Sequence, residues 1–286
     1  MTGESPVPAV QVDAALSINM TYDREVGFPV KAIAIVPNNV APWVSSLFLI
    51  DDDNKLHRGA IDAGAFDNVA KDIAGIAPLA RNNDAGIALA HTHTGEVKAF
   101  LEINDDSDYR AMPLSETPHD IDAFCAVDHP SAARVYAKSG PNILTLELTS
   151  PQENSYIGAA PINGLKARGK TCSVITDAED LISLDAPKTA LGTAVLDSNT
   201  LLFITKDSQS APRLFIKRGE DVTAINITGG ITMAAPKQID ALYVMPNSMG
   251  GVLRNGALVL ADNETQRLIY ISLDFFKQRV DEIFAP

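Results

Sequence analysis

The sequence predicts an all-β protein, a six-bladed β-propeller of four-stranded antiparallel blades, and three observations predict it. Six times along the chain an alternating apolar run, a polar turn and a second apolar run follow one another. The hairpin centres recur at roughly 30–60 residues, averaging about 40, the size of one propeller blade. Six four-stranded blades at that period need about 250–290 residues, and the chain has 286.

The first hairpin joins Ser46–Ile50 to Leu56–Ile61 through Asp51-Asp52-Asp53-Asn54-Lys55. The second joins Ala85–Ala90 to Val97–Ile103 through His91–Gly95. The third joins Arg134–Ala137 to Ile143–Leu148 through Lys138–Asn142. A weaker fourth joins Cys172–Ile175 to Leu181–Leu184. The fifth joins Leu201–Ile204 to Arg213–Ile216, and the sixth joins Ala257–Leu260 to Arg267–Leu273. Each run has period-2 alternation with β-branched or aromatic residues, and each turn carries Asp, Asn, Gly or Ser. Two segments hint at helix instead. These are Asp67–Ile76 and Leu273–Phe284, the latter with Phe275, Phe276, Val280 and Ile283 on an apolar stripe. No strand alternates with a long helix, which disfavours a parallel α/β fold. A pair of β-sandwiches accounts for hairpins but not for their spacing.

Residues 1–20 read as a flexible N-terminal segment and 21–286 as a single propeller domain, with no Gly/Ser linker inside it. Lys+Arg 23 against Asp+Glu 36 leaves a net charge of −13. Nucleic-acid binding rests on cationic side chains neutralising phosphates, so this balance excludes nucleic acid as the expected partner. It is equally unsuited to an anionic membrane surface, and no apolar run reaches the roughly 18 residues of a spanning helix. The expectation is a monomer that binds a small molecule. Met1–Val10 has no basic region and is broken by Pro6 and Pro8, so it is not a signal peptide. Its composition is that of a linker behind a removed leader, which makes a periplasmic or secreted protein the expectation. Cys125 and Cys172 are either two buried thiols or one disulfide.

Several constellations carry possible chemistry. His91-Thr92-His93 puts two imidazoles on one side of a strand end, suited to a transition metal or phosphate, or simply polar turn residues. Asp105-Asp106-Ser107-Asp108 and Asp51–Asn54 read as solvated turns first and cation loops second. Glu116, His119 and Asp120 precede a buried strand and could face a channel. No Walker loop, dinucleotide fingerprint, HExxH or GxSxG occurs.

The order of these segments resembles the β-propeller phytases from about Val30 to Val280. Ala32–Pro37 followed by Ser46–Ile50 is similar to that family's opening strand pair. Phe66-Asp67-Asn68-Val69, Phe124–Leu148 and Lys170–Val174 follow in the family's order, as do Ile239–Leu242 and Gly256–Asp262. The resemblance implies calcium-dependent hydrolysis of phytate phosphomonoesters, in which calcium activates water and cationic side chains hold phosphate. Carried over position by position, it implies calcium as cofactor, with Asp23, Glu25, Asp120, Asp185 and Asp240 as the remaining metal-binding acids. For phosphate, Lys138 matches the family's substrate lysine, His93 falls near its arginine, His119 lies at a place corresponding to a substrate-facing segment, and Lys170 adds anion affinity of its own.

Many of the family's acids are replaced. Lys170 stands where the family has a glutamate, Thr189–Gly192 replaces two carboxylates, and Gly229–Pro236 replaces an acid-rich loop. Calcium takes six to eight oxygens, so this depletion predicts a non-catalytic or weakly active ligand-binding relative. An active phytase or other phosphomonoesterase is the alternative.

Overall fold

The computed structural model describes residues 16–38, 41, 45–61, 65–82, 85–103, 110–112, 120–127, 134–148, 157–167, 171–177, 180–184, 187, 189–206, 212–230 and 232–284. Two N-terminal strands, β1 (Leu16–Asn19) and β2 (Tyr22–Glu25), close sheets whose other strands come from the far end of the chain. The first sheet runs β3 (Val30–Val36), β4 (Ser46–Asp51), β5 (Leu56–Ala60) and β6 (Asp67–Ala70) in chain order. The second comprises β7 (Ile73–Asn82), β8 (Ala85–Thr92), β9 (Val97–Ile103) and β10 (Arg110–Met112).

A short stretch then divides between two sheets. Its first part, β11 (Ala123–Phe124), edges the third sheet, while β12 (Ala126–Val127) edges the fourth. The third sheet continues with β13 (Arg134–Ser139), β14 (Asn142–Leu148) and β15 (Ile157–Lys166). The fourth adds β16 (Ser173–Asp177) and β17 (Asp180–Leu184). In the fifth, β18 (Ala190–Asp197), β19 (Thr200–Thr205), β20 (Arg213–Arg218) and β21 (Asp221–Thr228) are antiparallel, and β1 lies parallel to β21 on the outside. The sixth is β22 (Ile239–Met245), β23 (Ala257–Asp262) and β24 (Arg267–Ser272), with β2 antiparallel to β24.

The chain is therefore a β-propeller, and each of the six sequence hairpins is one antiparallel pair of strands. The expectation of six four-stranded blades is corrected: five blades hold four antiparallel strands, and the fourth sheet holds three among the described residues. The edge strand of that sheet is only two residues long and pairs in parallel with β16, through Ala126 with Ser173 and Val127 with Val174.

Two smaller expectations are also corrected. Asp67–Ile76 is not helix but the end of one sheet and the start of the next, reversed at Asp72, whose φ is 61°. Of the N-terminal segment expected to be flexible, 1–15 lie outside the described residues, and Leu16–Asn19 pairs in register with Ile225–Thr228.

Apolar residues that alternate along each strand meet those of the adjoining sheet, so the core is divided among successive sheet pairs. Ile33, Ile35, Leu47 and Leu49 pack with Val259, Leu268 and Tyr270 between the first and sixth sheets. Leu79, Leu89 and Ala99 pack with Val135, Leu144 and Leu146 between the second and third. The predicted C-terminal helix is present as α1 (Leu273–Ile283), but it turns Leu273, Phe276 and Val280 inward, leaving Phe275 and Ile283 exposed.

Polar clasps join the first and last sheets. Asn263 Oδ1 accepts from the Val30 amide at 2.7 Å and its Nδ2 donates back to the Val30 carbonyl at 3.1 Å. Arg24 on β2 donates to the carbonyls of Ala60 and Ile61 at 2.5 and 3.0 Å, and its guanidinium lies 4.5 Å from the Phe66 ring centroid. Asp262, fully buried at the end of β23, accepts from the amides of Lys237 and Gln238 at 3.2 and 3.1 Å. It also accepts from Thr265 Oγ1 at 2.6 Å.

Candidate functional site

The inner-edge strands β3, β7, β11, β18 and β22, together with the start of β13, surround a cavity of about 490 Å³. Their sequences explain the space. Ala32, Ala74, Gly75, Ala77, Gly192 and Ala241 all line it, so the strands approach the axis without filling it. Ile76, Val135, Val195 and Leu242 make the wall largely apolar.

One polar side chain reaches the cavity from a second strand. His91 on β8 is the register partner of Gly75 on β7, and a Cβ at position 75 would collide with His91 Nε2. Only the missing side chain of Gly75 lets the imidazole through. The ring is 2% exposed, stands edge-on to Phe124 with centroids 5.0 Å apart, and holds Nδ1 3.3 Å from the Thr92 carbonyl. A carbonyl only accepts, so Nδ1 carries the proton and Nε2 presents its lone pair. Burial holds the His91 pKa below the usual 6.5. The Thr92 carbonyl and Asp122 oppose this shift, and His93 adds to it.

The wall also contains the Cys125–Cys172 disulfide, with Cα atoms 4.7 Å apart, which resolves the two alternatives left by the sequence. Next to it, Thr171 Oγ1 is buried with no hydrogen-bond partner among the described residues.

The charged side chains on the cavity lining already have partners. Lys31 Nζ donates to the Asp52 carbonyl at 2.6 Å and Asn54 Oδ1 at 3.2 Å. Arg134 Nε meets Glu147 at 2.9 Å. Asp122 accepts from Lys138 Nζ at 2.7 Å and the Gly140 amide at 2.8 Å, and chiefly the Lys138 hydrogen bond keeps its carboxyl below 3.8.

The sequence-derived site residues are dispersed. Lys138 is spent on Asp122, and His93 is exposed on the turn after β8 rather than beside His91 in the cavity wall. The expected imidazole pair is thus split between two environments, because period-2 alternation breaks where the strand enters its turn. Asp23 pairs with Arg267 at 2.5 Å, and Glu25 is exposed. Both sit on β2, the outermost strand of a sheet whose inner edge, β22, carries Asp240. Three strand spacings separate those edges by about 14 Å, whereas calcium holds its oxygens at about 2.3–2.6 Å, so Asp23 and Asp240 cannot share one ion.

Asp240 borders a second depression with Lys31, Asp52, Gln238, Asn263 and Glu264. Burial raises its pKa, with the Gln238 amide opposing and Asp52 adding to the shift. Asp120 is exposed beside Gly95. Among the described residues no three His, Cys, Asp or Glu side chains gather as a metal site. His119, Lys170, Asp185, Glu116 and the Asp105–Asp108 run lie outside the described residues. His57 bonds Asp51 at 2.7 Å and stacks on Phe28.

Sequence reading missed the cavity itself. Its signal was present in the small residues of AGIAPLA and ALGTAVLD, where a strand buried on both faces would ordinarily carry bulkier side chains.

The pKa directions set the acid response. Unfolded chains protonate histidine near 6.5 and aspartate near 3.8, while folded His91, Asp51 and Asp122 resist protonation. For Asp51, burial alone would act the other way, but the His57 and Lys55 hydrogen bonds prevail. The unfolded state therefore binds more protons, and stability falls as pH drops, first through the histidine range and then through the carboxylate range. Asp240 opposes the second phase. Urea midpoints between about pH 8 and about pH 3 should fall in both windows, and His91→Phe should flatten the upper one. An unchanged upper phase in that variant would assign it to another group.

The sheet order and axial cavity make this chain a β-propeller with an internal pocket. No family model matches the chain, and no curated protein matches it. Among solved structures it is similar to BBS1N, crystallised in complex with ARL6DN and soaked with lead. That match is 10% identical, covers 89% of this chain and 96% of the other, and has a TM-score of 0.49. A chain of the mitotic checkpoint complex is also 10% identical, with 94% and 99% covered and a TM-score of 0.47. For the N-terminal domain of Nup159 the values are 10%, 85% and 65%, with a TM-score of 0.33.

Proposed function

We propose that this chain is a phytase-like propeller that binds a small molecule in its axial cavity and does not hydrolyse phosphate esters. The observation that carries this reading is the contrast between a roomy, mostly apolar cavity of about 490 Å³ and charged residues dispersed around the sheets. Pockets of roughly 300–1,000 Å³ are the size that small ligands occupy. Hydrolysis by the family's route needs carboxylates converging on calcium and free cations for phosphate. Asp23 is engaged by Arg267, and Lys138 by Asp122. The Cys125–Cys172 disulfide supports export to an oxidising compartment, periplasmic or extracellular.

The test is phosphate release from phytate across a calcium titration. The expected result is no turnover above the protein-free blank at any calcium concentration. Sustained calcium-dependent release would overturn the non-catalytic reading.

A further inference from the structure

Resting on that ligand-binding reading, we infer that the axial cavity selects a neutral, largely apolar molecule that donates one hydrogen bond, through an O–H or N–H, to His91 Nε2. The imidazole is nearly inaccessible, lines the cavity, and has no partner for Nε2 among the described residues. A polar atom that opens only onto an apolar cavity has few partners there, so a ligand that satisfies it gains what an apolar isostere does not. The direction of that bond is set by the backbone. With the Nδ1 proton committed to the Thr92 carbonyl, the neutral ring offers only a lone pair at Nε2.

The same lone pair repels carboxylate and phosphate oxygens. The two lining cations among the described residues, Lys31 and Arg134, are exposed and held by other acceptors, the Asp52 carbonyl and Glu147. Apolar surface from Ile76, Val135 and Leu242 supplies the bulk of the contact. Thr171 Oγ1, able to donate or accept, is buried without a partner among the described residues and lies on the wall beside the disulfide. A one- or two-ring molecule with a single donor fits these conditions, whereas a polyphosphate fits none of them.

Calorimetric titration with indole and 1-methylindole tests the inference, because methylation deletes the donor and keeps the rings. Indole should bind the wild-type protein about tenfold more tightly than 1-methylindole, the scale of one hydrogen bond to a buried partner. In His91→Phe that ratio should shrink towards one. The wild-type ratio alone decides the matter if the variant does not fold. Equal affinities for the two indoles, or binding of neither, would overturn the inference. Binding of phytate or inorganic phosphate without indole binding would overturn the neutral class while leaving the ligand-binding reading intact. The non-catalytic part of that reading fails separately, in the phosphate-release assay.

Discussion

Replacing Asp262 with alanine should cost about 3–5 kcal/mol of folding stability, the range for breaking a buried, hydrogen-bonded charge. The carboxylate is fully buried and receives the Lys237 and Gln238 amides and the Thr265 hydroxyl, with Arg267 Nη2 3.5 Å away. Deleting it strips the acceptor from two backbone N–H groups and one hydroxyl, and removes one counter-charge of a guanidinium. The consequence extends beyond the turn. Lys237 and Gln238 lead directly into β22, so Asp262 holds the start of a strand that lines the cavity. Asp262→Asn keeps one acceptor oxygen and should lose less. Urea denaturation of the three proteins checks the order, and an alanine variant within about 1 kcal/mol of wild type would refute the assigned role.

Removing the Cys125–Cys172 disulfide should be of comparable size. It closes a segment of sequence separation 47, for which the chain-entropy relation gives about 4 kcal/mol. The local geometry adds a reason for sensitivity. Cys125 and Cys172 immediately precede the two-residue parallel pairing of β12 with β16, too short to persist by itself. The bond therefore holds the short edge strand β12 against β16, with both cysteines in the cavity wall. Urea midpoints with and without reductant, alongside a Cys125→Ser/Cys172→Ser double variant, measure the effect. A loss below about 1 kcal/mol in both would show that the sheet stands without it.

These two positions were unequally visible in the sequence. Cys125 and Cys172 were obvious as residues but undecided as a pair, because their separation says nothing about distance in space. Asp262 looked like any turn aspartate, since the alternation of Ala257–Leu260 ends before it and burial of a turn depends on what folds over it. The candidate site was less legible still. Lys138 stands at a matching position in the resemblance, yet its ammonium is claimed by Asp122, an acid 16 positions away. Asp23 and Asp240 looked like members of one cluster until the sheet order put them on opposite edges of the sixth sheet.

Hairpins, turns and the final helix were determined by the sequence itself, because they depend on neighbours a few positions apart. Alternating burial needs only period 2, and reversal at Gly140 needs only a residue tolerant of a φ of 55°. What only the tertiary structure decided is the radial order of strands, the closure of the last two sheets by β1 and β2, and the passage of His91 over Gly75 into the cavity. Each of these joins residues on different strands or from opposite ends of the chain. Alternation states that a side chain is buried, but not which neighbour buries it.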